Sequence, residues 1–222
     1  MADVHPGATL TPHFRDFLPQ WVARQPWYQG SGIPSLTPVG YFRFEDPSGE
    51  VGIETHLVTD GQVVYQVPMT YRGAPMEDGG PNAAAALVAT AEHSVLGTRW
   101  IYDGEADPVW SGELLRLVRA GGVSEPSSKR GVAPAEARGQ LLAAGELTES
   151  SVVIELRRVL APGHSAGDLD AAGQVTGIWH PGGPGTPAVA GCLAVVRAGA
   201  HPAGGTSPRH SRLPRQGGTD RR

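Results

Sequence analysis

The chain has 222 residues, and Gly (31) and Pro (20) together take about twice their average share. The net charge is −4, 40% of the residues are hydrophobic and Cys192 is the single cysteine. These values exclude collagen, a coiled coil and a disulfide-stapled miniprotein. No apolar run approaches the roughly 18 residues that a membrane span needs. We therefore expect a soluble, cytoplasmic protein in which folded regions alternate with loose segments and which does not bind membranes.

The charge is unevenly distributed along the chain. The last 22 residues carry five arginines against one aspartate, whereas the remainder has 13 basic against 21 acidic residues. An acidic body has no general attraction to phosphate backbones, so we expect no nucleic-acid partner.

The first predicted element is an amphipathic helix. Thr11-Pro12 is a typical start, because Thr caps helices and Pro suits the first turn. Pro19 predicts a kink or two short helices, and the helix is expected to end before Pro26. The apolar residues that recur at helical spacing are Phe14, Phe17, Leu18, Trp21 and Val22.

Three extended segments follow, at residues 39–45, 51–59 and 62–71. Asp60-Gly61 between the last two is a strong hairpin signal, since both residues tolerate the backbone of a tight turn. A helix followed by three antiparallel strands predicts an α+β fold.

Residues 83–96 come next, and we interpret them as a helix or a helix-loop element. Asp107-Pro108 predicts a further helix that ends at Gly121-Gly122, because Asp caps, Pro suits the first turn and Gly terminates. A weak helix is expected within 134–145. Three more strands are predicted, at residues 152–160, 173–179 and 188–198.

The sequence contains no recognisable catalytic machinery. There is no phosphate-binding loop, and the single lysine, Lys129, lies away from any predicted strand. Gly167-Asp168 lacks the flanking histidines of small-molecule kinases, and the eight histidines show no metal-ligand spacing. Asp103 and Asp107 are a conceivable acid–base pair, but Asp107 is better explained as a helix cap. We predict no catalytic, cofactor-binding or metal-binding residues.

An aromatic cluster stands beside glycines at Trp21, Trp27 and Tyr28. Stacked aromatic rings next to glycines can form a sugar-binding platform, but more often they form the core of a small domain. The sequence favours a role in the core, but both interpretations of the cluster stay open. Cys192, in an apolar strand, is expected to be a small core residue.

Residues 21–32, WVARQPWYQGSG, resemble the start of actinobacterial maltokinases, in which a tryptophan pair flanks a basic segment before a glycine-rich turn. Residues 51–54, 64–68 and 102–108 resemble later parts of the same N-terminal cap region, in the same order. The resemblance covers about residues 5–120. Pro26 and Ser31 depart from it, because basic residues are usual at both positions.

Residues 66–110 are more similar to short, stand-alone actinobacterial relatives that carry the cap without a kinase. Some of these are named 1,4-alpha-glucan branching proteins, but this chain is too short for a glycosidase barrel and lacks its carboxylate motifs. The resemblance implies a cystatin-like cap, with an N-terminal helix packed on a curved antiparallel sheet and a second small antiparallel β-subdomain after it. The implied organisation is a cap at 1–120, a flexible linker at 121–150, a β-subdomain at 151–198 and a disordered basic tail at 199–222.

The resemblance implies a non-catalytic cap module that binds a protein partner, either a sugar kinase or another enzyme of α-glucan, trehalose or maltose 1-phosphate metabolism. One alternative is a small carbohydrate-binding protein that takes a maltose-type sugar. A second is an accessory subunit that completes a sugar kinase in trans. The candidate interaction or sugar-platform surface comprises Trp21, Arg24, Trp27, Tyr28, Arg72, Arg99 and Trp100.

Overall fold

The computed structural model describes residues 7–76, 83–125, 132–143, 147–163 and 170–199. Within these residues the chain forms three α-helices, eleven β-strands and two 3₁₀ helices. The helices are α1 (Phe14–Val22), α2 (Ala83–Ala86) and α3 (Pro108–Ala120), and the 3₁₀ helices span Gly104–Ala106 and Glu149–Ser151. The strands are β1 (Leu10–Thr11), β2 (Thr37–Glu45), β3 (Gly52–Thr59), β4 (Val64–Arg72), β5 (Leu87–His93), β6 (Gly97–Asp103), β7 (Glu136–Leu141), β8 (Val152–Leu156), β9 (Val159–Leu160), β10 (Ala171–Trp179) and β11 (Val189–Ala198).

The first sheet has the strand order β1-β5-β6-β4-β3-β2, and β9 pairs with the start of β4. All of its pairings are antiparallel. The predicted turn at Asp60-Gly61 connects β3 to β4, and Asp60 Oδ1 accepts hydrogen bonds from the N–H groups of Gln62 and Val63. Gly61 has a φ of +97°, a conformation that favours glycine.

Helix α1 lies on one face of the first sheet. Its predicted start at Thr11 is wrong, because Thr11 belongs to β1 and His13 is the cap. The His13 Nδ1 accepts a hydrogen bond from the Arg15 N–H, and the Asp16 carboxylate accepts one from the His13 N–H. Pro19 lies inside a single helix. The buried stripe comprises Phe14, Leu18, Trp21 and Val22.

The second sheet has the order β7-β10-β11-β8, and all its pairings are antiparallel. Helix α3 packs mainly on β7. As predicted, Asp107 caps this helix, Pro108 begins it, and Gly121 follows it in the left-handed conformation.

The expected linker at 121–150 contains β7, and the weak helix expected within 134–145 is wrong. Burial alternates here with a period of two: Ala135 and Ala137 face the core, whereas Arg138 is exposed. The N–H of Ser124 bonds to the Ala137 carbonyl, and the N–H of Glu125 bonds to the Arg43 carbonyl of β2. The segment before β7 therefore connects the two sheets.

The helix expected at 83–96 is limited to the four residues of α2. The chain then becomes extended, and β5 pairs with both β1 and β6. Val88 and Ala91 of β5 are buried beneath α1. The alanine run at 83–86 is helical, but from Leu87 onward the pairing of β5 between two strands outweighs any local helical preference.

One hydrophobic core joins the two sheets. It lies on the face of the first sheet opposite α1, and α3 and the second sheet close it. Its large members are Phe42, Phe44, Ile53, Leu57, Trp110, Leu114, Leu115, Leu117, Trp179 and Leu193.

The predicted fold class is confirmed: the chain is α+β, with a helix on a curved antiparallel sheet and a second small antiparallel sheet. The domain boundaries remain predictions. Lys129, Gly167-Asp168 and, apart from Gly199, the tail at 199–222 lie outside the described residues. Among the residues that are described, no helix has the length and apolar character needed to cross a bilayer.

Gly139→Ala tests the contact between α3 and β7. A methyl group at this position would overlap the Leu117 carbonyl and lie 2.7 Å from the Val118 nitrogen, both of them backbone atoms of α3. We expect a loss of about 3 kcal/mol in the free energy of unfolding, measured by urea denaturation. Gly122→Ala is the control, since its methyl group would make only ordinary contacts. Equal stability of the two variants would contradict the predicted close contact.

Candidate functional site

The predicted aromatic cluster forms where α1 ends. The chain turns after Val22, and the Gln25 side chain donates a hydrogen bond to the Trp21 carbonyl. This turn brings the Trp27 ring to 5.7 Å from the Trp21 ring and 5.8 Å from that of Tyr65 on β4. The Tyr28 ring lies 5.8 Å from the same Tyr65 ring. The rings all tilt against one another, as in packed aromatic clusters.

The members of this cluster differ in exposure. Trp21 is 3% exposed and belongs to the core beneath α1. Trp27 and Tyr28 are half-buried at the margin of that core, and Arg24 is exposed. The interpretation as core therefore holds for Trp21, whereas Arg24 is exposed and Trp27 and Tyr28 are partly accessible.

A residue that sequence reasoning missed, Arg158, covers Trp27. Its guanidinium carbon lies 5.2 Å from the Trp27 ring centroid, and its Nη2 donates hydrogen bonds to Asp103 and Glu105. Arg158 is only 8% exposed, and its Nη1 has no hydrogen-bond partner. A sugar stacked on this side of Trp27 would first have to displace a buried, doubly paired arginine.

The environment of Asp103 disfavours its charge. Burial raises the pKa of Asp103, and the positive charge and hydrogen bond of Arg158 offset this effect only in part. Elsewhere in the cluster, burial and donation of a hydrogen bond to Asp60 raise the pKa of Tyr65 to about 12.

Arg72 makes a two-pronged ion pair with Asp107. Its Nε and Nη2 lie 2.7 and 2.6 Å from the two carboxylate oxygens, and the Thr70 hydroxyl donates a third hydrogen bond. Asp107 also accepts a hydrogen bond from the Val109 N–H, which caps α3. Burial favours a higher pKa, but the bonds from Arg72, Thr70 and Val109 outweigh it and lower the pKa of Asp107.

The two carboxylates considered as an acid–base pair thus belong to different clusters. Asp107 is tied to Arg72 and the start of α3, whereas Asp103 is tied to Arg158. The interpretation of Asp107 as a helix cap is confirmed.

Arg99 and Trp100 are neighbours on β6 with different surroundings. The Arg99 guanidinium donates to the Leu96 carbonyl at 2.8 Å and lies against Gly73, which has no side chain to obstruct it. Trp100 is opposite Arg72 in the strand register and packs with Tyr102 in a small cluster. The structure therefore brings Trp21, Trp27 and Tyr28 together in one group, and Arg72 and Trp100 together in another.

Sequence reasoning also missed a buried polar network on the α1 side of β3. The Glu54 carboxylate accepts a hydrogen bond from the Tyr41 hydroxyl and lies 3.2 Å from the His56 Nε2. The His56 ring is in contact with the rings of Phe14 and Tyr41. Burial and the nearby Glu54 carboxylate raise the pKa of Tyr71 well above its usual value. The partners come from three strands, so no local motif indicates them.

Two further features bear on chemistry. Across the described ranges, no three His, Cys, Asp or Glu side chains come together as metal ligands would. Cys192, expected in the core, is half-buried and lies opposite Thr176 on β10.

Residues 21–107 match the family model of the maltokinase N-terminal cap domain. The matched segment begins at Trp21 in α1, contains β2 to β6, and ends at Asp107, the cap of α3. No curated protein matches the chain.

Asp107→Asn isolates the charge of this carboxylate, because Asn still caps a helix. At pH 7 we expect a loss of about 2–3 kcal/mol in the free energy of unfolding, since Arg72 loses its partner. The pKa of Asp107 is lowered in the folded state, so its contribution is complete above the unfolded value near ~4 and disappears as the pH falls through the folded value. The difference in the free energy of unfolding between Asp107→Asn and the wild type, measured by urea denaturation, should be smaller below pH 4 than at pH 7.

The matched variant is Asp103→Asn. The pKa of Asp103 is raised in the folded state, so its stabilising contribution is present below the unfolded pKa and is lost as the pH rises through the folded value. At pH 7 we expect a smaller loss in the free energy of unfolding than for Asp107→Asn. The difference from the wild type should grow as the pH falls, which is the opposite of the trend for Asp107→Asn. Parallel pH profiles for the two variants would contradict the assigned environments.

Proposed function

We propose that this chain, which carries a maltokinase N-terminal cap domain over residues 21–107, is a non-catalytic cap module that works by binding another protein. The partner is a sugar kinase or another enzyme of α-glucan, trehalose or maltose 1-phosphate metabolism. The match to the cap domain carries this proposal. A cytoplasmic location is part of it, because such enzymes act on phosphorylated sugars.

The sequence supports a non-catalytic role for these 222 residues. They contain neither a phosphate-binding loop nor the His-Gly-Asp-x-His motif of small-molecule kinases. Two arginines at the candidate site hold the fold together. Arg72 ties β4 to α3, and Arg158 ties the segment between β8 and β9 to Asp103 and Glu105.

The surface proposed for the partner lies beyond the end of α1. Arg24 is exposed, the Trp27 and Tyr28 rings present half-buried edges, and the Glu105 side chain is 47% exposed. Arginine and large aromatic residues dominate the binding energy of protein interfaces. The rings are already held by Tyr65 and Arg158, so binding does not have to immobilise them.

The two alternatives make different demands on the same residues. A carbohydrate-binding protein needs an open ring face, and Arg158 covers one face of Trp27. An accessory subunit that completes a sugar kinase in trans needs the same kind of protein partner as the main proposal. It differs in that the partner would be inactive alone.

Co-purification from the native host, followed by interferometry with the purified partner, tests this proposal. We expect the captured protein to be a sugar kinase or an α-glucan enzyme. Arg24→Glu should weaken its binding at least about tenfold, because it reverses an exposed charge in the proposed surface. Arg15→Glu, an exposed charge near the other end of α1, should leave the affinity unchanged.

Three results would change the conclusion. ATP-dependent phosphorylation of maltose by the pure chain would contradict a non-catalytic role. A tryptophan fluorescence change with millimolar maltose or trehalose would favour the carbohydrate-binding alternative. A captured kinase that is active only when the chain is added would favour the accessory subunit.

A further inference from the structure

Among the described residues, strand β8 is an edge of the second sheet with no strand on its outer side. It pairs with β11 on one side, and nothing follows it in the strand order β7-β10-β11-β8. Each of the other edge strands in the described part of the chain either bonds to the segment before β7 or is very short. The segment around Ser124 bonds to β7, the N–H of Glu125 bonds to β2, and β1 has only two residues.

The pairing with β11 identifies which backbone groups of β8 are open. The N–H of Arg157 bonds to the Leu193 carbonyl, and the N–H of Gly199 bonds to the Ser151 carbonyl. Antiparallel partners use alternate residues, so the backbone groups of Ser151, Val153, Glu155 and Arg157 point toward β11. Those of the intervening residues point away from it, and no residue in the described ranges bonds to them. The outward-pointing residues are Val152, Ile154 and Leu156.

The sequence of β8 gives this edge strand little protection beyond its short length. Residues 152–156 read VVIEL and contain no Lys, no Pro and no bulge, and the one charged residue, Glu155, is paired with Arg197 of β11. Val153 is 54% exposed. On the other face, Val152, Ile154 and Leu156 pack against the shared core but remain only partly buried, and no strand of the described residues lies beyond them.

We propose that the occupant of this edge is a second copy of the chain. Its β8 would pair antiparallel with this one about a two-fold axis at Ile154. In that register Ile154 faces Ile154 of the partner subunit, and Val152 faces Leu156 of the partner subunit. These are the residues whose backbone groups point outward, so every open N–H and C=O finds a partner.

Side chains also favour this self-pairing. The three half-buried apolar residues of each β8 would lie beside the same three residues of the other copy, extending the core across the axis. Ser151 would face Arg157 of the partner subunit, which places no like charges opposite each other. A five-residue strand buries little area, so the dimer should be weak, with a dissociation constant of roughly a few hundred micromolar.

Ultracentrifugation of the full chain from about 10 µM to 1 mM tests the proposal. We expect a reversible monomer–dimer equilibrium. Ile154→Pro removes an outward N–H, which the edge of a sheet tolerates, and should raise the dissociation constant about tenfold or more. Ile154→Ala is the matched control: it shortens the same side chain but keeps the N–H, so it should still dimerise. If Ile154→Pro does not fold, Val152→Pro and Val152→Ala make the same comparison.

Disulfide cross-linking tests the proposed strand register. In the Cys192→Ser background, Ile154→Cys should cross-link to itself on oxidation, because directly paired Cα atoms lie about 5.5 Å apart. Val95→Cys, an exposed position on the turn between β5 and β6, should not cross-link.

A monomer at 1 mM, or a dimer that Ile154→Pro leaves intact, would overturn the proposal. The proposal would also be overturned if the chain is a monomer that co-purifies with another protein, and Ile154→Pro abolishes this co-purification whereas Ile154→Ala does not. The edge would then pair with a strand of that other protein. This inference does not depend on the proposed function. Arg24→Glu does not change β8, so the proposed function and the proposed dimer can each fail without the other.

Discussion

The first sheet is apolar on both faces, and the rest of the structure follows from that constraint. Tyr65, Val67 and Met69 of β4 face α1, whereas Phe42 and Phe44 of β2 face the opposite side. A single helix covers only one face, so the other must be buried by further chain. Helix α3 and the second sheet supply this cover, and their aliphatic side chains and two large rings, Trp110 and Trp179, complete one continuous core.

Polar groups on β4 position this second layer. The buried Gln66 side chain donates hydrogen bonds to the carbonyls of Arg157 and Leu193, so a side chain of the first sheet binds the backbone of the second unit. Arg72, further along the same strand, binds Asp107 and thereby orients α3. Buried donors and acceptors without partners are costly, so these bonds specify one arrangement of the two sheets.

Local signals predicted much of the fold. Asp60-Gly61, Asp107-Pro108 and Gly121 each determine a turn or a helix end through their own backbone preferences, and each was correctly interpreted. Features formed by distant residues were missed. Arg158 lies 55 residues from Asp103 in sequence, and β7 is a strand only because β10 lies beside it. In the candidate site the aromatic residues were predictable, but the arginine that covers Trp27 was not.

The shared core sets a lower limit on the length of chain that can fold. Residues 21–107 match the cap-domain family model, yet on their own they would leave Phe42, Phe44 and Ile53 without a cover. A truncation or fusion that preserves the fold must include the strands around Leu193, or place another apolar surface against the same side. The folding unit is therefore longer than the matched segment, and its length is set by the second face of one sheet.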